Sequence, residues 1–177
     1  MQDLKDVAEQ ARAYCSHQGA KGIDSLAALM ERTKADWERC LEGMTEEQAS
    51  FAPGEEWSAR KVLTHFLKVT DGVNSGIKNL TAGQAPASTD EVDLARAGKT
   101  PDCETTEKMR EGMAEVFDEI VRLTRALEGN AYLDRQFPHP AFGQLNILEW
   151  IAFQRLHGMD HMGQVEKNKA DAGYPKA

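Results

Sequence analysis

Apolar side chains recur at three- and four-residue steps along most of the chain, which is the period of amphipathic α-helices. Few runs of β-branched residues alternate in the manner of strands, so the sequence predicts an all-α protein. The apolar series that define four main helices run from Leu26 to Leu41, from Val62 to Leu80, from Met109 to Leu127 and from Ile147 to Val165.

Several residues mark the expected starts of these helices. Asp24 or Ser25 is the predicted N-cap of the first main helix, and Ser58 is that of the second, because their side chains can accept hydrogen bonds from exposed backbone N–H groups. Asn146 followed by Glu149 has the capping-box pattern and opens the fourth helix. These positions divide the chain into helices of ordinary length.

The connections predict how the chain is organised. The stretch from Thr81 to Pro101 is rich in Gly, Ala, Pro, Ser, Thr and Asp, and it is too long for a hairpin between antiparallel neighbours. We expect it to be a long crossover between helices two and three. The sequence thus predicts an N-terminal extension helix in residues 1–21, one bundle domain over 22–168 and a flexible tail over 169–177. Residues 132–142, with two prolines, are expected to form a structured loop.

Composition and charge exclude several classes of function. The chain has 177 residues, 41% of them hydrophobic, and a net charge of −8. A nucleic-acid-binding protein should carry a basic footprint, and a negative charge also disfavours anionic membrane surfaces. The N-terminus lacks the basic and apolar segments of a secretory signal, and no apolar run is long enough to cross a bilayer. We therefore expect a cytoplasmic protein with no nucleic-acid or membrane partner.

The cysteine content also indicates a cytosolic protein. Cys15, Cys40 and Cys103 are odd in number and far apart, and no Cys-x-x-Cys pair occurs. This usage is typical of reduced thiols in a cytosolic protein, and it argues against a disulfide framework or a thiolate zinc site.

Three of the five histidines carry the candidate chemistry. His157 and His161 are four residues apart on the fourth predicted helix, so both rings lie on one face at a separation that can chelate a metal. His65 lies on the inward face of the second helix, beside Phe66. A pair at this spacing is a weak motif by itself, and a lone buried histidine is more often a satisfied core residue. Three inward imidazoles nevertheless need partners, and one divalent metal ion would satisfy them all.

A three-histidine site would leave coordination positions open to water or substrate, as in catalytic metal sites. The all-nitrogen ligand set suits zinc, nickel, cobalt, copper or iron(II), and we expect zinc or nickel. The sequence contains no paired carboxylates, no Ser-His-Asp order and no glycine-rich phosphate loop. No catalytic residue is therefore identified, and a metal would carry most of the chemistry.

Two blocks of residues, in this order, resemble the DinB/YfiT-like family over roughly residues 22–168. The first block is Trp57-Ser58, Val62-Leu63 and His65-Phe66-Leu67; the second is His139-Pro140-Ala141-Phe142-Gly143, Leu145, Glu149-Trp150 and His157-x-x-x-His161-x-x-Gln164. The resemblance implies an up-down-down-up four-helix bundle with a long crossover, and a homodimer. It also implies a metal triad formed by His65, His157 and His161.

The family resemblance also suggests activities. Some members resemble thiol-dependent S-transferases that use a low-molecular-weight thiol, and others have been described as metal-dependent hydrolases. The resemblance therefore implies a metal-dependent transferase or hydrolase with a small-molecule substrate. Two alternatives stay open: a non-catalytic metal- or ligand-binding bundle with a stress-response role, and a structural dimeric bundle whose histidines are satisfied internally.

The sequence departs from the family pattern at Asp160, where many relatives have a second histidine. Asp160 is either a partner that orients an imidazole or a solvent-facing charge. Gln164 lies one turn beyond His161 and either bonds to the site or is a plain surface amide. Gly158 and Gly163 are unusual inside a helix, where glycine costs about 1 kcal/mol relative to alanine. We expect them to permit close approach of another helix, at a dimer contact.

Overall fold

Six helices and one hairpin make up the regular structure of the described residues, which in this computed structural model are 4–84, 102–128, 133–139 and 141–176. In chain order they are α1 (Leu4–Gly19), α2 (Ile23–Cys40), α3 (Glu46–Ser50), α4 (Ala59–Thr81), α5 (Thr106–Arg125), β1 (Gln136–His139), β2 (Gly143–Asn146) and α6 (Ile147–Lys169). The predicted all-α class is confirmed, with the small antiparallel hairpin as an addition.

The antiparallel helix pairs of the bundle are α4 with α6 and α2 with α5. Between α4 and α6, Asn168 Nδ2 donates to the Trp57 carbonyl at 2.7 Å, whereas Thr70 bonds to Gln154, farther back along α6. Between α2 and α5, Glu31 pairs with Arg125, and the next turn of α2 contacts the preceding part of α5. In both pairs, moving forward along one helix means moving backward along its neighbour.

The parallel pairs complete the arrangement. Cys40 lies beside Glu166 at the ends of α2 and α6, and Asn74 of α4 donates to the Val116 carbonyl of α5 at 3.0 Å. Since α2 and α6 run one way and α4 and α5 the other, the up-down-down-up order is confirmed. The long crossover that parallel α4 and α5 require was predicted for Thr81 to Pro101, and its residues 85–101 lie outside the described residues.

The bundle interior holds the apolar faces that the sequence predicted. The residues buried on the inward face of α4 repeat at three- and four-residue steps: Val62, Phe66, Val69, Val73, Ile77 and Leu80. Trp37, Phe117 and Trp150 enter the same core from the other three bundle helices and are fully buried. Each large apolar side chain stabilises the fold by roughly 1.5–3 kcal/mol through removal from water.

The helix starts agree with the sequence except at α2. Ser58 accepts from Lys61 N at 3.2 Å, and Asn146 with Glu149 forms a reciprocal capping box. The prediction of Asp24 or Ser25 as N-cap is wrong, because Gly22 occupies that position with φ +88° and the helix begins at Ile23. The positive φ of Gly22, which glycine adopts without steric cost, turns the chain from α1 directly into α2.

The predicted structured loop contains the β1–β2 hairpin. Phe137 pairs with Leu145 across the two strands, and its carbonyl accepts a hydrogen bond from Trp150 Nε1 at 3.1 Å. The Phe137 and Trp150 rings stack with centroids 4.4 Å apart. The hairpin thereby packs onto the first turns of α6. Residues 132 and 140 of the predicted loop lie outside the described residues.

Both ends of the chain contact the bundle. The predicted extension helix is present as α1, which packs along α6 and buries Cys15 completely. A flexible tail was predicted over 169–177, and two of its described residues contact the bundle. The Tyr174 ring meets Phe51 edge-on, and the Pro175 carbonyl accepts from Gln48 Nε2 at 2.9 Å. No helix in the described part of the chain combines the length and apolar character that a membrane span requires.

Glu46 connects three elements at one end of the bundle. One of its carboxylate oxygens accepts from the backbone N–H and the hydroxyl of Thr106, both at 2.8 Å, and the other accepts from Arg60 at 2.5 Å. The contact with Arg60, followed by those with Thr106, lowers the pKa of Glu46 to about 2. The carboxylate therefore holds α3 against the starts of α4 and α5.

We expect Glu46→Gln to lower the melting temperature at neutral pH. Because the folded-state pKa of Glu46 is lowered from 4.5 to about 2, its stabilising effect is complete above the unfolded value and is lost as pH falls through the folded one. The melting-temperature gap between parent and variant should thus narrow below pH 4.5. Calorimetry on both proteins, with the exposed Glu47→Gln as control, checks this; a gap that does not depend on pH would contradict it.

Gly158 and Gly163 provide a matched pair for helix packing. A Cβ at Gly158 would lie 3.2 Å from Trp37 Nε1 and 3.3 Å from Thr33 Cγ2, whereas one at Gly163 would meet no described atom within 4 Å. Trp37 and Thr33 are fully buried and have little room to move. Gly158 therefore permits the close approach of another helix that was predicted, but that helix is α2 of the same chain and not a dimer partner. Gly163 faces outward instead.

We expect Gly158→Ala to destabilise the protein by up to about 2 kcal/mol, since overpacking costs roughly 1–3 kcal/mol and the gain in helix propensity offsets about 1. Gly163→Ala should stabilise it by up to about 1 kcal/mol, because that alanine contacts nothing new. Urea unfolding of the two variants measures both values. Equal changes of the same sign in the free energy of unfolding would show that packing at Gly158 is not tight.

Candidate metal centre

The antiparallel packing of α4 on α6 brings His65, His157 and His161 together. His157 Nε2 lies 3.3 Å from His65 Nε2 and 2.9 Å from His161 Nε2. One ring nitrogen from each histidine lies within 4.8 Å of the other two. The three residues predicted from sequence as metal ligands therefore converge on one point.

An aromatic layer supports the three rings from the core side. The His157 ring stacks on Phe153 with centroids 5.3 Å apart and contacts Phe66 at 5.1 Å. The Trp57 ring meets His65 edge-on at 5.5 Å. These contacts restrict how far the imidazoles can turn, so their nitrogens are held in a common direction.

Burial differs among the three histidines and favours the form that binds metals. His161 is only 6% exposed, whereas His65 and His157 are half-buried. Burial lowers the pKa of His161, and the hydrogen bond with Gln164 and the charge of Asp160 oppose that change. A neutral imidazole has one unprotonated nitrogen, which is the atom that a metal requires.

The ligand set can be tested against the size of a metal ion. Two nitrogens bound tetrahedrally to zinc, each about 2.0–2.1 Å from the ion, are about 3.3 Å apart. The two Nε2 separations that involve His157 are 3.3 and 2.9 Å, close to that value. The two nitrogen pairs that include His157 therefore have a spacing that suits one divalent ion, and all three nitrogens lie within 4.8 Å of one another. Three histidine ligands would leave further coordination positions open.

Asp160 and Gln164 lie beside the triad on α6. Gln164 Oε1 is 3.2 Å from His161 Nδ1, and Gln164 Nε2 donates to Asp160 Oδ2 at 3.2 Å. Gln164 thus bonds to a residue of the site, which was one of the two alternatives predicted for it. The side chain of Asp160 is exposed, as its alternative of a solvent-facing charge predicted, and its hydrogen bond is to Gln164 and not to an imidazole.

Other residues with suitable chemistry lie elsewhere. His139 Nδ1 accepts from the backbone N–H groups of Ala141 and Phe142, and its ring stacks on Phe142, as expected for a turn residue. Glu149 caps α6, as predicted. Within the described residues, the triad is the group of His, Cys, Asp and Glu side chains with metal-binding geometry.

Sequence reasoning missed the aromatic support of the site. Phe153 is one turn before His157 on α6, and Phe66 is adjacent to His65 on α4. Both were assigned to the apolar face without a role at the site. The four-residue step from Phe153 to His157 could have indicated that the two rings stack, since residues at that spacing are neighbours on a helix.

Comparisons with known proteins identify the family and a relative of this chain. The family model of the DinB superfamily matches residues 29–165. YuaE of Bacillus subtilis (strain 168), described as uncharacterized, is 25% identical in a 143-residue match that covers 73% of this chain and 88% of YuaE.

A solved structure shares the fold. It is that of YfiT from Bacillus subtilis, described as a probable metal-dependent hydrolase with an unusual four-helix bundle topology. The match has a TM-score of 0.68 at 19% identity and covers 86% of this chain and 89% of YfiT. At this identity the likeness shows a common fold.

The thiols should differ in reactivity. Burial raises the pKa of Cys15 and of Cys40 to about 12, whereas Cys103 is only half-buried. Because the thiolate is the reactive form, we expect a thiol reagent such as 5,5′-dithiobis(2-nitrobenzoate) to label Cys103 in the native protein. Cys15 and Cys40 should be labelled only after unfolding. Rapid labelling of Cys40 in the native protein, detected by peptide mass spectrometry, would contradict their burial.

Proposed function

The chain belongs to the DinB superfamily, and from that premise we propose that it is a metal-dependent enzyme whose three histidines hold one divalent ion. The observation that carries the proposal is the convergence of three imidazole nitrogens on one point, with two of the rings half-buried. His65, His157 and His161 are the proposed ligands. Zinc or nickel is the proposed metal, since both are bound well by imidazole nitrogens.

The residues around the triad would orient and shield the site. Phe153 and Phe66 lie against His157 and exclude water from the core side. The partial exposure of His65 and His157 leaves the other side accessible to a small molecule. When bound, the ion would supply Lewis acidity that makes a water molecule or a thiol more acidic.

Two reaction classes fit such a site. Hydrolysis is supported by YfiT, which shares the fold and is described as a probable metal-dependent hydrolase. Transfer of a low-molecular-weight thiol is supported by the sequence resemblance to thiol-dependent transferases of the family. Cys15 and Cys40 are buried with raised pKa values, so a thiol nucleophile would come from a small molecule and not from these side chains.

The proposal also covers the assembly and location of the protein. We propose a homodimer, as the family resemblance implies, and a cytoplasmic location, which the use of the cysteines supports. The outer face of α6 carries Met159, which is 50% exposed. We place the dimer contact at Met159, and light scattering should then find that Met159→Glu is a monomer.

A different class of function is favoured by one observation. His157 Nε2 lies within hydrogen-bonding distance of both other Nε2 atoms, so the rings could satisfy one another without a metal. The protein would then be a structural or ligand-binding bundle. Its melting temperature would not change on addition of zinc, whereas a metal bound to the native state raises it by mass action.

We expect elemental analysis of the untagged protein to find close to one metal per chain. His65→Ala, His157→Ala and His161→Ala should each lose it, because two imidazoles hold a divalent ion far more weakly than three. His17→Ala, which removes an exposed histidine of α1, is the matched control and should keep the metal. Absence of metal in the parent, even after reloading with zinc or nickel, would contradict the proposal.

Turnover by the metal-loaded protein should depend on the same residues. We expect activity either on 4-nitrophenyl acetate, for hydrolysis, or on 1-chloro-2,4-dinitrobenzene with cysteine or glutathione, for thiol transfer. Removing two ligands in His157→Ala/His161→Ala should abolish it. Turnover that this double variant retains would show that the triad is not the active site.

A further inference from the structure

We infer that Asp160 is a positioning residue: through the Gln164 amide it holds His161 in the tautomer whose Nε2 is free to bind metal. The inference rests on the proposed metal site and concerns how the chain prepares one of its ligands. It starts from two hydrogen bonds on the outer side of α6, each 3.2 Å long, that connect Asp160 to Gln164 and Gln164 to His161.

The proton on His161 follows from the atom that faces it. A neutral imidazole carries one proton, on either Nδ1 or Nε2. Gln164 Oε1 faces His161 Nδ1, and a carbonyl oxygen can only accept, so Nδ1 must be the donor. His161 Nε2 is then unprotonated, and this is the nitrogen that points toward His157.

The orientation of the Gln164 amide depends in turn on Asp160. The oxygen and the nitrogen of an amide are nearly the same size, so shape alone does not decide which one faces His161. The Asp160 carboxylate can only accept, and it therefore requires the NH₂ group of Gln164 on its side. This places the amide oxygen at His161.

Without Asp160 the amide would be free to turn over. An NH₂ group facing His161 would require an unprotonated Nδ1 and would thus favour the proton on Nε2, where it blocks metal binding. The spacing along α6 supports the arrangement, because residues three and four apart are neighbours on a helix surface. Asp160 replaces the histidine that the sequence pattern of the family led us to expect here, and it thereby gains this role.

The experiment measures zinc affinity by competition with a chromophoric chelator. Partners that orient a ligand typically contribute 10–100-fold to metal affinity, so we expect Gln164→Leu to weaken zinc binding by about that range and Asp160→Ala by about tenfold. Glu115→Ala, which removes an exposed carboxylate from α5, controls for net charge and should leave the affinity unchanged. Both α6 positions are at least partly exposed, so the variants should fold, which circular dichroism checks.

A further variant separates positioning from simple attraction between Asp160 and the metal. Gln164→Glu offers His161 an oxygen whichever way it turns, so adding Asp160→Ala to it should cost little further affinity. A role of Asp160 through its charge alone predicts that Asp160→Ala costs as much affinity in the Gln164→Glu protein as in the parent, and that result would overturn the inference.

A spectroscopic measurement reads the tautomer directly. Correlation spectra of the ¹⁵N-labelled imidazole rings in the metal-free parent should show the His161 proton on Nδ1. A proton on His161 Nε2, or zinc affinity that is unchanged in both Asp160→Ala and Gln164→Leu, would overturn the inference and leave the metal site standing. A parent that binds no zinc would overturn the proposed function, and this inference with it.

Discussion

The antiparallel packing of α4 on α6 is the constraint on which the rest of the structure depends. His65 lies about two turns from the start of α4, His157 lies in the middle of α6, and His161 lies one turn later. Only opposite helix directions, in a register that also joins Trp57 to Asn168, put these residues at one level. A shift of one turn, about 5.4 Å, would separate nitrogens that are now about 3 Å apart. The site is therefore a consequence of the bundle topology.

The core beneath the site preserves this register. The Phe66 ring contacts both Trp37 and His157, so α2, α4 and α6 meet at one aromatic side chain. Gly158, next to His157, lets α6 approach Trp37 so closely that a single methyl group would not fit without movement. Stability and ligand placement thus depend on the same contacts. The less buried side of the triad does not take part in this packing. On that side Gln164 bonds to His161 and donates to Asp160.

Much of the fold could be predicted from the sequence, because apolar residues repeat at three- and four-residue steps within each helix. The His157–His161 spacing is local as well, and the inward position of His65 followed from the apolar face of α4. That these faces meet depends on helix order, which the residue pattern left open and the family resemblance supplied. The hairpin was missed since its strands have four residues each and include Pro138. The Gly22 cap and the Phe51–Tyr174 contact depend on tertiary packing, which periodicity does not encode.

The most direct test of the central claim is a crystal structure of the zinc-loaded protein with data collected at the zinc absorption edge. We expect one anomalous peak per chain, about 2.0–2.1 Å from the Nε2 atoms of His65, His157 and His161. The Gln164 side chain should still be hydrogen-bonded to His161 Nδ1. A peak at another set of residues would contradict it. So would three imidazoles that remain hydrogen-bonded to one another in the presence of excess zinc.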